Sequence, residues 1–228
     1  TFANNSASSS GGGIFNFGTS PTLTHVTLTN NAADQGGGIH NIAASPTLTH
    51  VTLANNSASQ GGGMYNSGSS PILTHVTLIN NSADFGGGMY NITSSPTLTN
   101  VAFANNSASQ GGGIYNRLTA ISTLTNVTFA NNSADFGGGM YNSGSPSPLT
   151  NTLFYNSTQD DQPLGTTNGN MDVGATDPFV DSANPNGPDG IPMTADDGLR
   201  IAAGASAVIN QGVTGANVPA TDILGNAR

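Results

Sequence analysis

Apolar and polar residues alternate along this chain in short runs. Val26 and Leu28 alternate with Thr27 and Thr29, and Leu23 stands between Thr22 and Thr24. A period of two puts the apolar set on one face of an extended strand and the hydroxyls on the other. The dozen residues SPTLTHVTLTNN at 20–31 return as SPTLTHVTLANN, SPILTHVTLINN and SPTLTNVAFANN. Each copy runs into a glycine triplet beginning at Gly36, Gly61, Gly86, Gly111 and Gly137, so the period is 25 with one insertion near Arg117. After each triplet comes a further short strand, as in GGGIHN, with Ile39 directed inward. A helical reading fails, because the repeat is rich in Thr, Val, Asn and Gly and lacks a period of 3.6.

A unit of this size cannot bury its own apolar face, so neighbouring units must stack and share one core. Three short strands and three turns in about 25 residues predict an all-β chain, a parallel β-helix with coils about 4.8 Å apart. Stacking also explains why identity recurs: each coil is a template for the next. Leu23, Leu48, Leu73, Leu98 and Leu124 should form one inward column, and Val26, Val51, Val76, Val101 and Val127 another. Asn31, Asn56, Asn81, Asn106 and Asn132 should form a ladder of amides bonded along the axis, satisfying polar groups at a buried turn.

GGGI and GGGM, with Phe2, Phe103 or Phe129 standing three residues before Asn5, Asn106 or Asn132, resemble the GGA-I and F-x-x-N motifs of polymorphic outer-membrane protein repeats. Such repeats occur in bacterial autotransporter passengers and other secreted right-handed β-helix proteins. The resemblance therefore implies a right-handed solenoid and an extracellular or cell-surface location in a bacterium. Here the third motif position is Gly instead of Ala, and Leu28, Leu53 and Leu78 replace Phe in three copies. The likeness covers roughly residues 1–156. The segment 157–228 breaks the period, is rich in Asp, Gly and Pro, and is expected to continue or cap the solenoid as an irregular C-terminal segment. Thr1 and Phe2 match Thr27 and Leu28 inside a coil, so both ends are expected to be open to further stacking.

Composition narrows the partners. Charged residues are only 7% of the chain, all twelve acids are Asp, all three bases are Arg, and the net charge is -9. Nucleic acid and anionic membrane surfaces are disfavoured, since both demand arrays of cations. There is no Cys, which excludes disulfides and thiolate metal sites. No apolar run is long enough for a membrane span, so membrane insertion of this segment is not expected. No secretory leader opens the chain, and in an exported protein it would have preceded residue 1.

Four groups of residues are candidates for function. Many right-handed β-helices, pectate lyases and polygalacturonases among them, cleave acidic polysaccharides with clustered carboxylates. Here Asp34, Asp84 and Asp135 fall on alternate coils, with Ser59 and Ser109 between. That places them about 9 to 10 Å apart, at or beyond the range of a hydrolytic pair, so they read as solvated turn residues and no enzyme is expected. His25, His50 and His75 share a position with Asn100, Asn126 and Asn151, which reads as a polar ladder at a corner. Thr22, Thr24, Thr47, Thr49, Thr74, Thr97, Thr99, Thr123 and Thr125 form a surface ladder interrupted by Ile72. It resembles the T-x-T faces of β-solenoid antifreeze proteins and implies an ice-binding or glycan-binding surface. Asp181, Asn184, Asn186, Asp189, Asp196 and Asp197 offer hard oxygen ligands in a Gly- and Pro-rich loop, the set that Ca2+ uses.

The expectation is a non-catalytic extracellular structural or adhesin-like solenoid. Copies of itself, joined end to end into a fibre, and a surface receptor, glycan or ice are the expected partners. The alternatives are an ice-binding or glycan-binding Thr surface and a polysaccharide lyase or hydrolase.

Overall fold

The computed structural model describes residues 1–157 and the backbone of two short strands, Thr167–Asn168 and Met171–Asp172. Every described element is a strand, and every pairing between strands is parallel. The register is one period throughout. Thr47, Leu48 and Thr49 pair with Thr22, Leu23 and Thr24 below and with Ile72, Leu73 and Thr74 above. Positions 25 residues apart are therefore vertical neighbours, as the repeat predicts, and the fold is a β-solenoid.

Two sheets run along the axis. A six-stranded sheet is built from Ile14–Phe17, Ile39–Ile42, Met64–Ser67, Met89–Ile92, Ile114–Arg117 and Met140–Asn142. A twelve-stranded sheet carries the two arms of the T-L-T-H-V-T-L-T segment. In the early coils these arms are separate strands, Thr22–Thr24 and Thr27–Thr29, then Thr47–Thr49 and Thr52–Ala54. In the next three coils they merge into single bent strands, Ile72–Ile79, Thr97–Ala104 and Thr123–Ala130. Three short strands per coil thus holds for the early coils and again for the last, where Leu149–Thr150 and Leu153–Tyr155 are separate, and two strands, one with a corner, for the three between. Between the sheets, isolated bridges such as Ser57↔Ser82 and Gln60↔Phe85 keep the coils in contact through the turn.

The corners explain the residues chosen for them. His25, His50, His75, Asn100, Asn126 and Asn151 all have φ between 50° and 54°, a left-handed conformation that Asn and His tolerate better than most residues. In the N-N pair that ends each second arm, the first Asn takes the same conformation, as at Asn55 and Asn80. The second Asn turns inward as the ladder. One dipeptide thus supplies both the turn and the bond that closes it.

Inside, Leu28, Leu48, Leu53, Leu73, Leu78, Val51, Val76 and the column Ile39, Met64, Met89, Ile114 form one continuous cluster. Each such side chain, fully buried, contributes about 1.5–3 kcal/mol. Phe103, Phe129 and Phe154 replace Leu in the last coils and stack at 5.0 and 4.8 Å with nearly parallel rings. The glycine triplet is as tight as its identity implies. A Cβ at Gly88 would lie 2.6 Å from the Gly113 carbonyl oxygen and 2.8 Å from the Phe103 ring. That clash explains Gly in this chain where the resembling motif has Ala.

Candidate functional site

The asparagine ladder is the best-defined polar feature of the interior. The Oδ1 of Asn81 accepts both the backbone N–H and the Nδ2 of Asn56 at 3.0 Å. The Nδ2 of Asn81 donates to Asn106 Oδ1 at 3.0 Å and to the Leu53 carbonyl at 2.9 Å. Asn31, Asn106 and Asn132 repeat the pattern. In the last coil Ser157 Oγ accepts from the Asn132 N–H, so a degenerate copy still terminates the run. All donors and acceptors of these amides find partners, which makes the ladder structural.

A second, equally regular ladder was missed from sequence. Asn16, Asn41, Asn66, Asn91 and Asn116 each donate Nδ2 to the Oδ1 of the next coil, Asn142 being the last, at 2.8 Å. The signal was present: Asn41 lies two residues after inward Ile39, and period two returns it to the same face.

On the outside, the Thr columns stand where the alternation places them. Thr22, Thr47, Ile72, Thr97 and Thr123 are register partners, as are Thr24, Thr49, Thr74, Thr99 and Thr125. Thr22, Thr24, Thr97 and Thr123 are exposed and the others half-buried, while Ile72 is half exposed. Pro21, Pro46, Pro71 and Pro96 precede the face in four coils, Ser122 taking that place in the next, and the carbonyl still accepts from the next coil, as Pro46 does from Ile72 N–H. Where Ser122 stands instead of Pro, its N–H donates to Ser147 Oγ of the next coil, a bond the proline coils do without.

Beside this face runs the corner column. The rings of His25, His50 and His75 stack at 5.0 and 4.9 Å with interplanar angles of 16° and 6°. Parallel rings keep their in-plane nitrogens parallel, so the three cannot converge on one ion. Asn151 Nδ2 donates to Asn126 Oδ1, Asn126 Nδ2 to Asn100 Oδ1, and Asn100 Nδ2 lies 3.0 Å from His75 Nε2. Partial burial, then the like-charged neighbours His75 and His25, lower the pKa of His50.

The third outer feature is an aromatic column on the outer face of the six-stranded sheet. Phe15, His40, Tyr65, Tyr90, Tyr115 and Tyr141 stack at 4.6 to 5.3 Å. His40 is 1% exposed, and neither ring nitrogen has a hydrogen-bond partner. Burial lowers its pKa to about 4. Arg117 stands at the end of the strand Ile114–Arg117, where Ile92 is its register partner. Its Nη1 donates to Tyr90 Oη at 3.3 Å, and that bond holds the guanidinium more firmly charged. Gln60, Phe85, Tyr90, Tyr115 and Arg117 line a cavity of about 190 Å³.

Asp34, Asp84 and Asp135 are exposed on the turn before the glycine triplet. The Asp84 and Ser59 backbones are linked by N–H to carbonyl bonds between coils, as are Ser109 and Asp84. Asp and Ser thus alternate on adjacent coils up this column. Among the described residues no group of three or more His, Cys, Asp or Glu could hold a metal. The Ca2+ candidates Asp181, Asn184, Asn186, Asp189, Asp196 and Asp197 lie outside the described residues. Among the described residues, no helix is long and apolar enough to cross a membrane.

Residues 100–117 match the family model of the Chlamydia polymorphic membrane protein repeat. They run from the corner Asn100 through Phe103 and Asn106 to GGGIYNR, the F-x-x-N and glycine-triplet elements in one piece. No curated protein and no solved structure matches the chain. The matched segment occupies most of one coil, and the coils around it repeat its register, so the chain is a β-helix repeat protein similar to the polymorphic membrane protein repeats.

Proposed function

We propose that this chain is a non-catalytic, surface-displayed bacterial solenoid that acts as a rigid structural or adhesin-like element. The observation that carries the reading is the uninterrupted one-period register with two amide ladders running inside. Conserving that register consumes the inward half of every strand and leaves the outer faces for contact. The repeat match supports association with an outer membrane or cell surface. The non-catalytic part of the reading is supported by the two-coil step between Asp34, Asp84 and Asp135, about 9 to 10 Å, at or beyond the upper end for a hydrolytic pair.

End-to-end joining belongs to this proposal. Parallel coils in one register can add to matching coils through their strand groups. Head-to-tail contact of that kind builds open filaments. Electron microscopy and light scattering across a wide concentration range test it: rods that lengthen with concentration support assembly, and monomers throughout refute it. Incubation with polygalacturonate tests the non-catalytic claim, since release of reducing ends or unsaturated products would overturn it.

The Thr columns support a second reading, an ice-binding face. Register-matched hydroxyls recur about every 4.8 Å along the axis and about 6.6 Å along the strand. Thermal hysteresis is the readout, and ordinary ice growth at high protein concentration removes this reading while leaving the structural one intact.

A further inference from the structure

The repeat dictates almost every residue of a coil, so a departure that stacking does not require is informative. Arg117 is such a departure. At its register the lower coils carry Phe17, Ile42, Ser67 and Ile92, and none is charged. It is the only Lys or Arg among residues 1–157, it is exposed, and no carboxylate among the described residues acts on it. Of its five N–H donors, one is directed at Tyr90 Oη. Accepting that bond leaves the Tyr90 hydroxyl proton available to a ligand. Tyr115 brings a second phenol to the same cavity, Gln60 brings an amide, and Phe85 closes one side.

We propose that this cavity binds the carboxylate of an acidic sugar, with Arg117 pairing the carboxylate and Tyr90, Tyr115 and Gln60 bonding to it and to adjacent ring hydroxyls. The cavity of about 190 Å³ takes one such group rather than a long ligand. A guanidinium fork matches a carboxylate in geometry as well as charge. The Tyr65 and Tyr90 rings are stacked, Tyr90 and Tyr115 meet edge to face at 69°, and Tyr115 and Tyr141 are tilted at 54°. Tyr90 and Tyr115 are nearly buried, so little of either ring is open to a flat ligand, while the Tyr90 hydroxyl meets Arg117 at a cavity that both rings line, an arrangement that suits a polyhydroxy ligand. A peptide adding itself as a strand has no place here, because the strand Ile114–Arg117 is already paired on both sides. The site is on a different face from the Thr columns, and it stands whether or not the chain assembles.

The test is calorimetric titration of the whole chain with galacturonate and its short oligomers, beside glucose, acetate, a sulfated sugar and an acidic peptide. Saturable binding of the uronates that weakens with added salt, without binding of glucose, is the expected result. Arg117→Ile installs the residue of the coil below, so folding is retained, and it should abolish binding. Tyr115→Phe should weaken binding about tenfold, the value of one hydrogen bond to a charged group. Thermal unfolding of both variants should match the parent, separating site loss from misfolding. No saturable uronate binding, or binding unchanged in Arg117→Ile, overturns the proposal. Acetate as tight as uronate overturns the sugar contacts, a preference for the sulfated sugar overturns the carboxylate assignment, and a preference for the acidic peptide overturns the glycan class.

Discussion

His40→Phe should make the solenoid more stable and less sensitive to acid. His40 sits in the aromatic column between Phe15 and Tyr65, with both ring nitrogens buried and unpartnered. Its pKa is lowered from 6.5 to about 4 by burial. Above the ordinary value the ring is neutral in both the folded and unfolded chain, and pH has no purchase on it. Between 6.5 and about 4 the unfolded chain takes up a proton that the folded chain refuses, so stability falls as pH falls. At about 1.4 kcal/mol per pH unit, the full loss below that window is on the order of 3 kcal/mol. Phe at this position fills the column as Phe15 does one coil below, and it has no nitrogens to leave unsatisfied. Removing them is worth about 1–3 kcal/mol at neutral pH. The assay is urea denaturation of the parent and His40→Phe across pH 8 to 3.5. Subtracting the two curves cancels the carboxylates and the other three histidines. The expected difference grows by about 3 kcal/mol as pH falls through the window. A difference independent of pH would refute the burial of a neutral, unpartnered ring.

Three further substitutions test the coil itself. Asn81→Ala leaves the Asn56 backbone N–H and one Asn56 amide hydrogen without their acceptor, and it should lower stability by about 2–4 kcal/mol, read as a shift in denaturation midpoint. Gly88→Ala drives a methyl into the Gly113 carbonyl and the Phe103 ring, so it should destabilise by at least about 2 kcal/mol, whereas Ser82→Ala, at an exposed turn position, should be near neutral. At Asn80, with φ of 54°, Gly should be tolerated and Ala should cost about 1 kcal/mol, and equal stability of the two would contradict the left-handed turn.

The solenoid was readable because its evidence is redundant. Val26, Val51 and Val76 each say little, but their recurrence at one offset beside Leu28, Leu53 and Leu78 leaves few folds in which all of them are buried. The first asparagine ladder was readable for the same reason. The second was overlooked because Asn41 follows a histidine and Asn66 a tyrosine, which draw the eye to the outward residue rather than to the inward one beside it. The merging of the arms into one bent strand has no counterpart in the corner residues, since His25, His50 and His75 share one φ whether the arms are separate or joined.

The outer surfaces were less legible, for a physical reason. A residue facing solvent is constrained by its strand only to be compatible with it, so its identity reports fold weakly and function only when it breaks the pattern. Arg117 broke the pattern, but its importance rests on Tyr90, Gln60 and Phe85, which come from other coils and meet it only after stacking.

The direct test of the whole account uses the absence of cysteine. Introduced in pairs, cysteines at Thr49 and Thr74, partners across one coil step, should stand about 4.8 Å apart at Cα, within the range a disulfide spans. Oxidation should link that pair quickly within a single chain, and should not link Thr49 to Ser59, which lies on another side of the coil. Failure of the one-period pair to cross-link, or equal cross-linking of the control pair, would contradict coils stacked in register.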